Sequence, residues 1–540
     1  PTIAVATDGG VSVIKDDGTV VDITRSTSPM DGVQFDSGYL IFGSSSVGGV
    51  WYYDYIPASD EAATPNDGHI EYYDSGFANK ATPAYLGYIN TKSAGSYIGT
   101  TGNNDSGLTA VDFNNTDYTK SSTAFVTSTY NTGWMNGDIK LATLSDTDDT
   151  DVTGSELVTN GTFDSDLTGW ETSAGTVTWN SGTMHLTNTT QYGTEPSQII
   201  TGLTVGSQYV LTFDKANVSG DGSWYIDGLQ GTTSAVGNFT YTITATSTSY
   251  TIRIKKRYVG TISIDNVSFR LAEEDRSVNG NGLQVFGTVT KDPVATGADL
   301  VGYTFSGNGT DYLQQPYNSD FNVGTGDFAF SFWFNVNTSA AKNIFELGGP
   351  TEGSTAAHCL LVQMQTTGVL RLYIRNSSNN AWIAPQLDSA SVNDGSWHCV
   401  SLVRNSGTVQ WFVDGVAGNS DSTAFTSSNL GSTNALLRLG AGIFSLNNAF
   451  NGSLALWRIS ATAPSPEQIA KIYEDEKVLF QENAQATLYG SSDAVTALAH
   501  DDTTNLLHVG TSAGRSVFQG LRRVDNTTDA VGAAISASNG

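Results

Sequence analysis

Residues 395–418 read GSWHCVSLVRNSGTVQWFVDGVAG, in which apolar and polar side chains alternate along two segments. Alternation with a period of two is typical of strands that bury one face. Asp414-Gly415 is a favoured two-residue turn between antiparallel strands, because both residues tolerate a positive φ. The segment therefore predicts a β-hairpin at the edge of a buried core.

The composition of the whole chain favours many such hairpins. Among 540 residues, 58 are glycine and only 14% are charged. Thr, Ser and Asn, which suit strands and turns, fill positions where helical proteins carry Lys, Glu, Leu and Ala. At roughly 150 residues per domain, the length allows three or four domains. We predict an all-β fold: a β-propeller-like body with two inserted β-sandwich (jelly-roll) domains.

The body is predicted from a recurring unit of strand, turn and strand. Its examples are 2–14, 39–54, 96–113, 124–144 and 505–524. Hairpins of this kind form the middle of a propeller blade of about 40–50 residues. We assign to the body a first part, connecting strands and a final part: 1–154, 273–294 and 479–540. A looser assembly of hairpins is the alternative.

The second inserted domain, 295–478, holds the opening hairpin together with FSFWF (330–334) and FNGSLALWRISATAPSPEQI (450–469). This succession resembles the laminin-G-like, concanavalin A-like jelly roll along its entire length. Pro464 and Pro466 before Glu467 predict the start of a short helix, 466–475. In the family that helix ends the domain.

The jelly-roll fold serves both lectins and glucanases, so the fold alone does not decide between them. A glucanase of the family-sixteen type carries two Glu residues that flank an Asp on one strand, and no E-x-D-x-x-E pattern occurs here. We therefore predict that the protein is not an enzyme. The resemblance also implies calcium at the rim of the jelly roll, with Asp311 or Asn451 as ligands.

The first inserted domain, 155–272, opens with ELVTNGTFDSDLTGW (156–170) and closes with TISIDNVSFRL (261–271). It resembles the galactose-binding-like carbohydrate-binding modules of families four and nine. The resemblance implies a structural calcium ion between the opening and closing strands, at Asp164 and Asp265. Two carboxylates brought together by sheet closure repel each other unless a cation lies between them. The alternative is that both are surface carboxylates.

Sugar recognition uses aromatic faces that stack on the C–H face of a pyranose. In the first inserted domain the candidates are Trp179, Trp224, Tyr225 and Tyr258. Trp224 and Tyr225 are adjacent, so one faces the core and the other faces solvent. We expect Trp224 to be the outward one.

Two His-Cys pairs, His358-Cys359 and His398-Cys399, lie in separate predicted strands. Neighbours on a strand point to opposite faces, so we expect the cysteines inside and the histidines outside. Whether the cysteines are bonded stays open.

Charge narrows the range of partners. With 25 basic and 53 acidic residues, the formal net charge is −28, which disfavours nucleic acid and anionic membranes. No apolar run reaches the roughly 18 residues that span a bilayer. We predict no membrane insertion.

The strings NGNGLQVFGTVTKDPVATGADLVGY (279–303) and YLQQPYNSDFNVGTGDF (312–328) resemble virion proteins of tailed, especially marine, bacteriophages. The resemblance implies an extracellular virion protein, namely a tail fibre, spike or decoration protein. Its implied partners are host cell-surface polysaccharide, other virion proteins and further copies of itself as a homo-oligomer. The alternatives are a glycan-degrading depolymerase and a purely structural virion protein.

Overall fold

The structure is a computed structural model. It describes residues 2–24, 32–36, 39–44, 49–53, 56–62, 70–71, 86–92, 95–100, 106–112, 120–172, 174–191, 193–226, 228–316, 318–336, 340–348, 360–375, 386–423, 425, 429–430, 436–443, 446–501 and 503–528.

The described part of the chain is almost wholly β, as predicted. The strands before the first inserted domain are β1 (Ile3–Thr7), β2 (Gly10–Ile14), β3 (Val20–Thr24), β4 (Gly32–Asp36), β5 (Tyr39–Ser44), β6 (Gly49–Tyr53), β7 (Glu61–Ala62), β8 (Ile70–Glu71), β9 (Leu86–Lys92), β10 (Gly95–Thr100), β11 (Gly107–Asp112), β12 (Ser122–Val126), β13 (Met135–Asn136), β14 (Ile139–Thr143) and β15 (Val152–Gly154). The strands of the first inserted domain are β16 (Glu171–Thr172), β17 (Thr176–Asn180), β18 (Thr183–Asn188), β19 (Pro196–Thr201), β20 (Gln208–Gly220), β21 (Trp224–Ile226), β22 (Gln230–Thr233), β23 (Gly237–Thr244), β24 (Ser249–Lys256) and β25 (Gly260–Glu273).

The remaining elements complete the chain. The next strands are β26 (Leu283–Pro293), β27 (Val301–Ser306), β28 (Tyr312–Gln315), β29 (Phe328–Asn335), β30 (Lys342–Gly348), β31 (Leu360–Met364), β32 (Val369–Ile374), β33 (Leu387–Ser391), β34 (Trp397–Asn405), β35 (Thr408–Val413), β36 (Val416–Asp421), β37 (Leu436–Leu439) and β38 (Asn451–Ser460). They are followed by helix α1 (Pro466–Glu476), β39 (Val495–Asp501), β40 (Leu506–Thr511), β41 (Gly514–Gln519) and β42 (Arg522–Thr527). Short 3-10 helices lie at Ser319–Phe321, Leu446–Asn448 and Lys477–Phe480.

The body consists of four small sheets that are mostly antiparallel. Body sheet 1 has the order β1-β2-β3-β7, body sheet 2 β4-β5-β6-β8, body sheet 3 β9-β10-β11-β12-β13 and body sheet 4 β39-β40-β41-β42. All five predicted hairpin regions contribute paired strands to these sheets. Body sheets 3 and 4 are antiparallel meanders, whereas body sheet 1 ends with β7 parallel to β3 and body sheet 2 passes from β6 to β8. The body is therefore an assembly of small β-sheets, as the all-β prediction requires.

The first inserted domain is a sandwich of two five-stranded sheets. One has the order β17-β18-β25-β20-β23 and the other β16-β19-β24-β21-β22. Their inner faces enclose an aromatic and aliphatic core that includes Phe213, Trp224 and Phe269. This is the predicted β-sandwich.

The second inserted domain is a jelly roll of two larger sheets. One contains β38, β29, β34, β35 and β36 in that order, and the other contains β28, β37, β30, β31, β32 and β33. Asp414 and Gly415 have φ of 51° and 76°. They form the predicted tight turn between β35 and β36.

The boundary of the jelly roll differs from the prediction. We assigned 273–294 to the body, but β26 pairs with β27 and β28 of the jelly roll. Strand β14 also joins the jelly roll, where it extends along β38. Apolar and polar residues alternate in both segments as they do in the body hairpins. This pattern predicts a strand, but it does not predict which sheet the strand joins.

Helix α1 begins where the two prolines predict. Ser465 caps it by accepting a hydrogen bond from the N–H of Gln468, and the Gln468 side chain returns a bond to the Ser465 N–H. This capping box fixes the start of the helix. Within the described residues, no helix has the length and apolar character needed to cross a membrane.

Candidate functional site

A cleft of about 530 Å³ opens between the sandwich and the jelly roll. This volume lies within the range of small-molecule sites in proteins. The sandwich contributes Glu156, Thr212, Phe213, Asp214, Asn238, Phe239, Asn266, Ser268 and Arg270, and the jelly roll contributes Gln284, Phe286, Gln314, Pro316 and Leu436.

One strand holds the two walls of the cleft together. Most of β25 pairs with β20 in the sandwich, whereas Ala272 and Glu273 at its end pair with β26 of the jelly roll. The sandwich sheet and the jelly-roll sheet are therefore hydrogen-bonded to each other through β25. The cleft is consequently a built feature of the chain and not a gap between loosely tethered modules.

The sandwich wall carries a linked set of polar side chains. Asp214 accepts a hydrogen bond from the Asn266 amide at 2.7 Å on one oxygen and from the Asn238 amide on the other. Asn266 has a φ of 51°, which places it in the left-handed region beside an irregularity in the pairing of β20 with β25. The bulge places Asn266 beside Asp214, and Asn238 reaches the same carboxylate from the neighbouring strand β23.

Glu156 anchors the floor of the cleft. Its carboxylate accepts hydrogen bonds from the N–H groups of Val158 and Phe269 and from the Ser268 hydroxyl, the last at 2.7 Å. Arg270 lies 3.1 Å from the same carboxylate. Because its oxygens are occupied by structural donors, Glu156 ties the start of the sandwich to its last strand.

Phe286 of the jelly-roll wall belongs to a stack of four side chains that includes Arg270 from the sandwich. Phe286 and Tyr312 stack with centroids 4.5 Å apart, and Arg270 and Arg438 cover the two ends at 4.2 and 4.3 Å from the rings. Since Tyr312 covers one face of Phe286 and Arg270 the other, this ring presents only its edge to the cleft. Besides the partly buried ring of Phe239, the sandwich wall offers amide, hydroxyl and carboxylate groups to the cleft.

Trp224 does not face solvent, and that expectation is wrong. Its side chain is fully buried, its ring lies 4.6 Å from Phe239, and its Nε1–H donates to the carbonyl of Ala235 at 3.1 Å. Trp224 and Ile226 share the inward face of β21, while Tyr225 between them points outward. The sequence carried a signal for this orientation, because Trp224 shares its face of the strand with the apolar Ile226 two positions later.

The other three predicted aromatics do not meet at one site. Trp179 lies on the edge strand β17, is 42% exposed and donates from Nε1 to the carbonyl of Phe163 at 2.5 Å. Half-buried Tyr225 lies on the opposite sheet with Lys255 over its ring at 5.4 Å. Tyr258 follows β24 and lies beneath Arg257. None of the three lines the cleft.

The predicted pair Asp164 and Asp265 lies near a third carboxylate, that of Asp214. Burial raises the pKa of Asp265, a hydrogen bond from the Asn266 N–H opposes this, and the charges of Asp214 and Asp164 raise it further. Even so, the described residues contain no group of three or more His, Cys, Asp and Glu placed to hold a metal ion. Calcium binding at Asp164 and Asp265 stays a prediction.

Asp311 and Asn451 lie at the rim of the jelly roll as expected. Ser306, which pairs with Asn451 across β27 and β38, donates its hydroxyl to Asp311 at 2.5 Å. Asn308 and Thr310 also donate to this carboxylate. Partial burial raises the pKa of Asp311, but these bonds together lower it more. The chain's own donors thus occupy the oxygens that calcium would need.

The second His-Cys pair has the predicted opposite orientation. Cys399 is a buried thiol outside any disulfide, whereas His398 on the other face lies 2.7 Å from Asp414 and 3.2 Å from Asp394. His358 and Cys359 lie outside the described residues. The arrangement of His398 is an ion-pair cluster that connects β34 to the turn after β35.

Sequence reasoning missed most residues of the cleft. Asn266, Ser268 and Arg270 belong to the closing motif that suggested calcium, and their alternation with buried Val267 and Phe269 marks them as outward. That pattern was a usable signal. The sequence gave no such signal for Gln284 and Gln314. They reach the sandwich only because β26 pairs with β25 at one edge and with β28 at the other.

Comparison with known proteins agrees with the architecture. Residues 306–470 match the family model described as the concanavalin A-like lectin/glucanases superfamily. No curated protein matches the chain.

Three solved structures similar to parts of the chain have low identity and low overall scores. The carbohydrate-binding module CBM40 of the Ruminococcus gnavus IT-sialidase, bound to alpha2,6 sialyllactose, is 16% identical, covers 28% of this chain and 85% of its own, and has a TM-score of 0.24. Domain 4 of AbnA, a GH43 extracellular arabinanase from Geobacillus stearothermophilus in complex with arabinotriose, is 15% identical, with coverage of 37% of this chain and 92% of its own and a TM-score of 0.28. The binding domain of Paraclostridial Mosquitocidal Protein 1 is 12% identical, with coverage of 45% of this chain and 61% of its own and a TM-score of 0.32. Residues 306–470, which match that family model, contain strands of the two sheets of the jelly roll.

Proposed function

We propose that this protein binds carbohydrate without cleaving it, through the cleft between the sandwich and the jelly roll. The observation that carries the proposal is the set of polar groups that converge there: Asp214, Asn238, Asn266, Ser268 and Gln314. Sugar hydroxyls require paired donors and acceptors, which amides and carboxylates supply. The jelly roll's match to a lectin and glucanase superfamily supports the same class of ligand.

The chemistry of the cleft favours binding over hydrolysis. Glycoside cleavage needs one carboxylic acid that donates a proton and one carboxylate that acts as base or nucleophile. Glu156 is held by backbone N–H groups, Ser268 and Arg270, and Asp214 by two amides. Both carboxylates are therefore engaged in hydrogen bonds within the sandwich wall. A depolymerase remains the alternative that the same assay tests.

The full-length protein should be retained on at least one member of a panel of insoluble and capsular polysaccharides. Asn238→Ala combined with Gln314→Ala removes one group from each wall and should weaken retention about tenfold, since each lost hydrogen bond contributes about 0.5–1.5 kcal/mol. Trp179→Ala is the matched control at the far edge of the sandwich. Release of reducing ends should stay at background.

The outcomes separate the candidates. Loss of retention in the Trp179 variant alone would move the sugar site to the edge of the sandwich, as the sequence suggested. Reducing ends released by the wild type would establish a depolymerase. Absence of retention on every polysaccharide would leave the modules with a structural role.

We also propose that the protein is displayed on the virion of a tailed bacteriophage. The support is the resemblance of residues 279–303 and 312–328 to virion proteins, together with the acidic surface, which stays soluble at high ionic strength. Weak sugar sites on many copies would hold a host surface through avidity. Immunogold labelling of particles with an antibody against the chain tests this, and unlabelled particles would contradict it.

A further inference from the structure

The charges that line the cleft do not balance. Glu156 and Arg270 lie 3.1 Å apart as an ion pair, so their charges offset each other. Asp214, on the same wall, makes no ion pair within the described residues and accepts its hydrogen bonds from the neutral amides of Asn238 and Asn266. The described lining of the cleft therefore carries one carboxylate charge that no cation offsets.

Neighbouring charges strengthen this imbalance. Asp265 pairs across the strands with Asp214, and the charges of Asp214 and Asp164 both raise the pKa of Asp265. Four of the six basic residues of the sandwich lie at 253–257, on or directly after β24 in the opposite sheet, and Lys215 is buried. Since like charges held together are relieved by a cation, this end of the sandwich favours a positively charged group.

The hydrogen-bonding groups around Asp214 are mainly acceptors. A carboxylate has about four lone-pair sites, and the two amides occupy one site on each oxygen. Because Asn238 and Asn266 turn an N–H toward the carboxylate, their carbonyl oxygens are left as acceptors, and no donor reaches either oxygen among the described residues. An ammonium group has three N–H donors and no acceptor, so it matches this corner of the cleft.

The jelly-roll wall supplies the opposite kind of group. The Oε1 atom of Gln314 accepts two hydrogen bonds from Arg438, at 3.0 and 2.7 Å, which leaves the Gln314 amide N–H groups for a ligand. Arg438 does not line the cleft and pairs across the strands with Glu346. A sugar can therefore place a cationic substituent at Asp214 while its hydroxyl oxygens accept from Gln314.

We propose that Asp214 sets the charge specificity of the cleft, which takes a sugar with a free amino group in preference to its N-acetylated or neutral counterpart and rejects one with a carboxylate. This specificity rests on the proposed carbohydrate-binding function and names its ligand class. Opposite charges attract the right ligand, and like charges exclude the wrong one. Even in bulk water, two unit charges about 4 Å apart change a dissociation constant about fivefold.

Ligand-observed NMR with the full-length protein, in chelator and at a pH where sugar amines are protonated, tests this order. The probes are glucosamine, galactosamine and mannosamine, each with its N-acetyl form, its parent hexose and its uronic acid. We expect an amino sugar to bind about fivefold more tightly than its neutral forms, and its uronic acid to bind most weakly.

Two variants assign the effect to one carboxylate. Asp214→Asn keeps the shape of the side chain and should abolish the preference for the amine without lowering the melting temperature. Asp501→Asn is the matched control, because it removes the same charge from a hydrogen-bonded carboxylate at the end of β39. It should leave the order of the ligands unchanged.

The outcomes distinguish the specificity from the function on which it rests. Equal or tighter binding of neutral or acidic sugars, or an unchanged order in Asp214→Asn, overturns the charge specificity and leaves carbohydrate binding in place. If no monosaccharide binds but a polysaccharide is retained, its aminated and carboxylated derivatives should show the same order of retention. Absence of binding to every monosaccharide and polysaccharide overturns the proposed function and the specificity with it.

Discussion

The carboxylate of Glu476, at the end of α1, accepts a hydrogen bond at 2.7 Å from the backbone N–H of Trp134, which lies 342 residues earlier, immediately before β13 of body sheet 3. The same carboxylate pairs with buried Arg458 and accepts the Nε1–H of Trp333 at 2.7 Å. This ion pair lies beside an apolar core that the body and the jelly roll share. The jelly roll is therefore packed into the body rather than tethered to it.

Replacing Glu476 should uncouple the two parts. Glu476→Gln leaves Arg458 as a buried charge without its partner, which typically costs about 3–5 kcal/mol. Denaturant unfolding followed by tryptophan fluorescence should show this loss. Glu474→Gln is the control on the same helix, because Glu474 pairs with Lys477 at the surface. Equal effects of the two substitutions would contradict a structural role for the buried pair.

Trp224 should behave as a core residue. Trp224→Ala should lower the free energy of unfolding of the sandwich by about 3–5 kcal/mol, and any loss of glycan binding should follow the loss of structure. Tyr225→Ala, on the outward face of the same strand, should cost much less. Thermal unfolding by circular dichroism checks both. A Trp224→Ala variant as stable as wild type would show that the ring does not contribute to the stability of the sandwich core.

His398 should give the jelly roll a pH-dependent contribution to stability. The hydrogen bond to Asp414, its charge and that of Asp394 raise the pKa of His398 against the opposing effect of burial. A raised pKa means that the folded state holds the proton more tightly, so the stabilisation is complete below the ordinary pKa of about 6.5 and is lost as pH rises through the folded value. The difference in melting temperature between wild type and His398→Gln should therefore shrink as the pH rises from about 6.5 through the folded pKa of His398. A difference that does not change with pH would contradict this.

Asp265 should destabilise the sandwich when no cation is present. Burial and the charges of Asp214 and Asp164 raise its pKa, so its favourable contribution exists at low pH and is lost as the carboxyl ionises. In chelator at pH 7, Asp265→Asn should therefore melt at a higher temperature than wild type. If calcium binds there, the ion should raise the melting temperature of wild type but not of the variant. Equal calcium responses would remove Asp265 as a ligand.

The sequence by itself determined the secondary structure and the types of domain. Alternation predicted the hairpins, Asp414-Gly415 predicted a turn, and Pro464, Pro466 and Glu467 predicted the one α-helix among the described residues. These features depend on neighbours a few residues apart, whose steric and hydrogen-bonding preferences are local. They also supported the resemblance to a jelly roll, which the family match over 306–470 bears out.

Only the tertiary structure decided how the domains combine. The end of β25 pairs with β26, so Gln314 of one module and Asn238 of the other line one cleft. Alternation specifies that a residue faces outward, but it carries no information about what a distant sheet brings opposite. The burial of Trp224 and the placement of β26 in the jelly roll have the same cause. Each depends on pairing and packing between residues far apart in the chain.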